Sequence, residues 1–163
     1  MKNLFKKVSA ILMAAIMVLA MASTAFADGP TATITVNNAD NATLTYAQVI
    51  RADQTTRTGW AFVNDDVKNA YIEAYGVADD DAQAAIEKLI ANTDAEKLGK
   101  AQALAAGKVS FVEMSNPQTV SEAGVYLVKA TEVGYTYNIM SAYVGFGEAP
   151  NLTNAIVNAK KTP

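Results

Sequence analysis

The chain has 163 residues, with 13 Lys and Arg against 16 Asp and Glu, and contains neither histidine nor cysteine. Without those two residue types, Cys–His and Ser–His–Asp nucleophile systems and ordinary zinc sites drop out, and no disulfide can brace the fold. The acidic balance argues against nucleic acid as a partner, because phosphate binding needs clustered Lys and Arg.

The chain opens on an export segment. Lys2, Lys6 and Lys7 charge the N-terminus, Val8–Met21 is an almost wholly apolar run of 14 residues, and Ala25-Phe26-Ala27 has the small-x-small pattern that a signal peptidase accepts. That order is a secretory signal, with cleavage expected after Ala27. A membrane anchor is the competing reading, but the run falls short of the roughly 20 residues a spanning helix needs. No second run of spanning length follows, so no stable membrane span is expected in the mature part. Residues 28–163 are then one secreted domain, long enough for a core of its own. Losing residues 1–27 removes three lysines and no acid, which leaves 10 basic and 16 acidic groups.

Threonines alternate with Ala32, Ile34 and Val36 over Thr31–Asn37, and this period of two predicts a strand. Asn38–Asn41 is a turn cluster and Leu44–Ala52 a second strand, so the pair is expected to form a hairpin. Trp60–Val63 is a short third strand. The texture then turns helical. Val67, Ala70, Tyr71, Ala74 and Tyr75 recur at helical spacing, with Asn64, Asp65 and Asp66 capping the start and Gly76 the end. A second helix is expected over Asp79–Ala91, with Ala82, Ala85, Ile86, Leu89 and Ile90 as its apolar stripe. A third begins at Thr93, where Thr93-Asp94-Ala95-Glu96 reads as a capping box, and stops at Gly107. Its stripe is Ala95, Leu98, Ala101 and Ala105. Strands return at Val109–Met114, Gly124–Thr131, Tyr135–Val144 and Asn154–Lys160, with Asn116-Pro117 as a turn. Strands, a helical excursion over about 65–106, then more strands make the chain mainly β. The expected fold is an Ig-like or Greek-key β-sandwich with a helical insertion, α+β overall.

Other groupings carry less. Asp79-Asp80-Asp81 lacks the alternate spacing, glycine turn and bidentate acid of a calcium loop, and suits a helix start. Gly145-Phe146-Gly147 lacks the third glycine of a nucleotide loop and reads as a turn. Tyr126, Tyr135, Tyr137, Tyr143 and Phe146 are read as core and sheet-surface packing rather than as a ligand platform. No metal and no cofactor are expected, and no catalytic residue stands out.

Ala123-Gly-Val-Tyr-Leu-Val-Lys-Ala-Thr131, followed by Gly134-Tyr-Thr-Tyr-Asn-Ile-Met140, resembles the N-terminal domain of Gram-positive sortase-assembled pilins, the isopeptide-forming fimbrial proteins. Thr33-Ile-Thr-Val-Asn37 with the Tyr46-containing strand resembles the opening of that domain, and Ala155-Ile-Val-Asn-Ala-Lys160 its terminal strand. The resemblance covers nearly all of the mature chain. It implies a structural, non-enzymatic subunit of a covalently assembled surface pilus, with sortase and neighbouring pilin subunits as partners. In such pilins a lysine near the end of this domain attacks the sorting motif of the next subunit. Lys160 is the positional match and Lys161 its neighbour, although the family's Tyr and Pro are absent before them. The family also forms internal Lys–Asn isopeptide bonds assisted by an acid in a Tyr-x-Leu-x-Glu-Thr strand. In Tyr126–Thr131, Ala130 stands where that acid belongs. Glu132, two residues on, is the shifted substitute. Thr31–Asn37 has no lysine, so an internal bond is not expected. An adhesin module that binds host protein or glycan is the alternative function, and an exported hydrolase a third.

The chain stops at Lys160-Lys-Thr-Pro163 with no Leu-Pro-x-Thr-Gly motif, apolar tail or basic end. The expectation is a fragment ending at an interdomain linker, displayed on the cell wall if a sorting signal follows. A complete secreted protein is the alternative.

Overall fold

The computed structural model describes residues 30–147 and 151–163, so the expected signal at 1–27 lies outside the described residues. β1 (Ala32–Asn37) keeps the alternation its sequence sets. Ala32, Ile34 and Val36 are buried while Thr33 and Thr35 are half-buried. Full burial of a side chain such as Ile34 or Val36 contributes about 1.5–3 kcal/mol before entropy is counted.

The expected hairpin does not form. β1 lies between β5 (Gln118–Val120), antiparallel to it, and β9 (Ala155–Asn158), parallel to it. β2 (Thr43–Ala52) belongs to a different sheet, ordered β3 (Trp60–Phe62), β2, β6 (Gly124–Thr131), β8 (Met140–Val144), with β4 (Val112–Glu113) also beside β2. Both strands are apolar on one face, and placing them in different sheets lets each bury its stripe in the core between the layers. The turn between them carries the chain across. Asn38 takes a φ of 65°, the Ala42 amide donates to the Ala39 carbonyl at 3.0 Å, and Ala39 is buried.

β6 is buried over all five residues Gly124–Val128, so both of its faces are covered. Leu127 is the cross-strand partner of Ser141, and Ser141 is hydrogen-bonded by Gln102 from the helical layer. That face lies under the helices, and the alternate residues Tyr126 and Val128 face the first sheet. Val49 and Ile50 are adjacent on β2 yet both buried. A register shift against β6 between Gln48 and Ile50 accounts for this, because a bulge changes which face the following residues present.

The helices are α1 (Asp65–Tyr75), α2 (Ala82–Ala91) and α3 (Ala95–Ala106), inserted between β3 and β4. Asn64 accepts from the Val67 amide at 2.8 Å, and Gly76 closes α1 at a φ of 67°. α2 starts later than expected. Asp81 caps it by accepting from the Ala84 amide at 3.0 Å, and Asp79 and Asp80 precede it at φ 61° and 53°. Asp94, not Thr93, caps α3 by accepting from the Lys97 amide at 3.0 Å. Aspartate is the better acceptor of the two; Ala95, expected on the stripe, is exposed in the first turn. β3 is fixed to this layer by Phe62 against Tyr71, ring centroids 5.0 Å apart, and by Gln83 donating to the Trp60 carbonyl at 3.0 Å.

Three expected strands are cut short, and of Asn154–Lys160 only Ala155–Asn158 is strand. Only Val112–Glu113 of Val109–Met114 is strand, in register with Tyr46 and Thr45, and the Met114 amide donates to the Leu44 carbonyl at 3.0 Å where the ladder ends. Tyr135–Val144 divides into β7 (Thr136–Tyr137) and β8. β8 pairs with β6, while β7 pairs with β10 (Lys161–Thr162) in a separate two-stranded sheet, so one continuous strand cannot serve both. Among the described residues no helix is long and apolar enough to cross a membrane.

Candidate functional site at the end of β9

β9 carries its two-residue alternation past its own end. Ala155 is buried, Ile156 exposed, Val157 half-buried and Asn158 exposed. The Ala159 amide then donates to the Asn37 carbonyl at 2.9 Å, which extends the ladder by one residue. Asn37 and Asn158 lock the strand ends through a side-chain hydrogen bond of 3.1 Å. Ala159 is therefore buried, and Lys160 falls on the outward side with Ile156 and Asn158. Among the described residues the Lys160 amine has no ion-pair or hydrogen-bond partner.

The next residue meets a different environment. The chain crosses to β7, where Lys161 is the register partner of Tyr137 and Thr162 that of Thr136. β7 itself is set by a tight turn leaving β6. The Tyr135 amide donates to the Glu132 carbonyl at 3.2 Å, and Gly134 supplies a φ of 85°. Lys161 Nζ lies 3.0 Å from Glu132 Oε2 and 3.2 Å from Oε1. The Tyr137 hydroxyl donates to the same Oε2. Lys161 Nζ also stands 4.1 Å from the centroid of the Tyr135 ring, a cation over an aromatic face.

The electrostatics follow from these contacts. The Tyr137 hydroxyl first, and the Lys161 ammonium next, hold the Glu132 carboxyl below its ordinary 4.5. The hydrogen bond to Glu132 raises Lys161 above its ordinary 10.5. The depressed acid favours the pair above 4.5 and the raised amine favours it below 10.5. The pair is therefore fully charged across the neutral range.

The structure thus brings Glu132 together with Lys161 and not with Lys160. Ala130, at the position of the missing family acid, is half-buried. The tyrosines divide. Tyr126 is buried, whereas Tyr135 is 42% exposed and lies beneath the Lys161 ammonium, so it is not core packing. Tyr137 is half-buried with its hydroxyl on Glu132. Sequence reasoning missed these roles because 29 positions separate Glu132 from Lys161. The available signal was local: a glycine turn followed by Tyr-x-Tyr after an acid. An open groove of about 720 Å³, lined by Tyr46, Gln48, Lys108, Glu122 and Tyr126 among others, shares no residue with this corner. Among the described residues no group of three or more Asp and Glu could hold a metal ion.

No protein-family model matches the chain, and no curated protein matches it. Solved structures do match. One is the T6 backbone pilin of serotype M6 Streptococcus pyogenes, a protein of modular three-domain structure, at 15% identity and a TM-score of 0.49. The match covers 84% of this chain and 29% of that one. This chain therefore spans under a third of the pilin's length.

Proposed function

We propose that this chain is a secreted structural subunit, or one domain of such a subunit, of a covalently assembled surface pilus, and that Lys160 is the amine through which it is joined. The sequence resemblance supplies the reading. The observation that carries it to a residue is the position of Lys160, exposed and outward at the end of a strand anchored by the Asn37–Ala159 and Asn37–Asn158 bonds. An acceptor amine has to reach an acyl intermediate on the joining enzyme while its backbone stays put. The neutral amine adds to the acyl carbonyl. The new carbon–nitrogen bond replaces the bond to the enzyme nucleophile, which leaves, and the surplus proton passes to base or solvent. Lys160 is exposed, so an acyl intermediate can reach it. The same reading keeps the sandwich free of an internal isopeptide bond, since the inward positions of β1 are Ala32, Ile34 and Val36.

The test is a denaturing gel of cell-wall extract from the source strain. A linked subunit runs as a covalent ladder, and replacing Lys160 and Lys161 together with alanine abolishes it. A double variant that still polymerises through this domain overturns the assignment.

A further inference from the structure

Two adjacent lysines have the same intrinsic chemistry, yet the fold treats them in opposite ways. We propose that Glu132 is a positioning residue: together with Tyr135 and Tyr137 it latches Lys161 against β7 and leaves Lys160 as the single reactive amine of the pair. The proposal deepens the pilus reading and rests on it for its biological meaning, but the latch itself can be tested without it.

The geometry on the Lys161 side is threefold. Its ammonium is hydrogen-bonded to both oxygens of one carboxylate at 3.0 and 3.2 Å. It lies 4.1 Å from the Tyr135 ring centroid. Its backbone is held by antiparallel pairing with Tyr137. The carboxylate is itself fixed by the Tyr137 hydroxyl, and the Glu132 side chain is only 11% exposed. To act as a nucleophile, Lys161 would have to leave both oxygens and lose a proton that the neighbouring carboxylate stabilises. Lys160 has none of these restraints. Strand alternation turns it to the opposite side, where the buried Ala159 on one flank and the latched Lys161 on the other hold its backbone. The latch therefore does two things. It removes a competing amine one residue away, and it fixes residues 159–162 so that Lys160 is presented in one orientation.

The experiment is lysine footprinting of the purified chain. The protein is treated at neutral pH with limiting N-hydroxysulfosuccinimide acetate, and each lysine's acetylation rate is read by peptide mass spectrometry. Exposed Lys100 serves as the internal reference. Lys160 is expected to react several-fold faster than Lys161. In Glu132→Gln, which keeps the side-chain shape, and in Tyr137→Phe, Lys161 is expected to gain reactivity several-fold while Lys100 is unchanged. Equal rates at Lys160 and Lys161 in the unmodified chain overturn the latch. So does a Glu132→Gln chain with native near-ultraviolet dichroism in which Lys161 stays protected. Offering the same proteins a sorting-motif peptide and a sortase adds the functional arm. The expected product carries the peptide on Lys160 alone, and Glu132→Gln spreads it over both lysines. If neither lysine accepts the peptide while the acetylation pattern holds, the pilus reading falls and the latch stands. If the peptide goes to Lys161 in the unmodified chain, the latch is wrong and a lysine-joined subunit remains.

Discussion

Gly124 opens β6 close to the point where the β2 register shifts, and its surroundings leave no room for a side chain. Its φ is 154°, and a Cβ built there would stand 2.0 Å from the Ile50 carbonyl oxygen and 2.9 Å from Gln48 Nε2. Gln48 can swing away, but the Ile50 oxygen is backbone in the middle of the sheet. Gly124→Ala therefore has to separate β2 from β6 at the Arg51–Gly124 pair. Overpacking of this kind costs about 1–3 kcal/mol, and a non-glycine residue at such a φ adds about 1–3 kcal/mol. Together they remove roughly 3 kcal/mol or more, a large part of a typical domain's stability. Urea unfolding followed by circular dichroism should show a lower midpoint at unchanged slope. Thermal unfolding should fall by about 10 °C. Gly134→Ala is the control. Its φ is 85° but a Cβ there meets nothing within 4 Å, so only the backbone cost of about 1 kcal/mol applies. If Gly124→Ala unfolds within about 0.5 kcal/mol of the unmodified chain, a spread expected of surface changes, the described approach of β2 and β6 is wrong.

Gly99 behaves in the opposite sense. It lies exposed inside α3, and an added Cβ meets nothing, so Gly99→Ala should stabilise by about 0.5–1 kcal/mol, read as a rise in urea midpoint. The expectation that no internal isopeptide bond forms is checked by intact mass of the folded, purified chain. The mass should equal that of the sequence after signal removal, and a deficit of one ammonia would contradict it.

The helices were the most legible part of the chain, because their information is local. The recurrence of Val67, Ala70, Tyr71, Ala74 and Tyr75, bounded by Asn64 and Gly76, needs only one turn of context on either side. The later start of α2 behind Asp81 and the cap at Asp94 in place of Thr93 came from neighbouring residues that can all accept a hydrogen bond. Sheet membership was much less legible. Nothing near Thr31–Ala52 says that β1 and β2 belong to different sheets instead of pairing edge to edge. β5 and β10 have three and two residues, too few for a period to declare itself, and they exist because β1 and β7 offer them edges. The candidate site was half legible. Lys160 and Lys161 were readable as a pair, but their separation into an outward amine and a latched one depends on Glu132 and Tyr137 arriving by a crossover. The resemblance implies a place for Glu132 beside an internal bond, whereas its carboxylate holds the Lys161 ammonium.

The proposed role of Lys160 as the joined amine leaves a covalent trace in the polymer. The decisive measurement is tandem mass spectrometry of protease-digested, cell-wall-derived polymer, searching for the branched peptide that contains this strand end. A foreign carboxyl terminus in amide linkage to Lys160 is expected, with Lys161 unmodified. A branch on Lys161 or on any other lysine of the chain, or polymer in which residues 155–163 are always recovered unbranched, would contradict it.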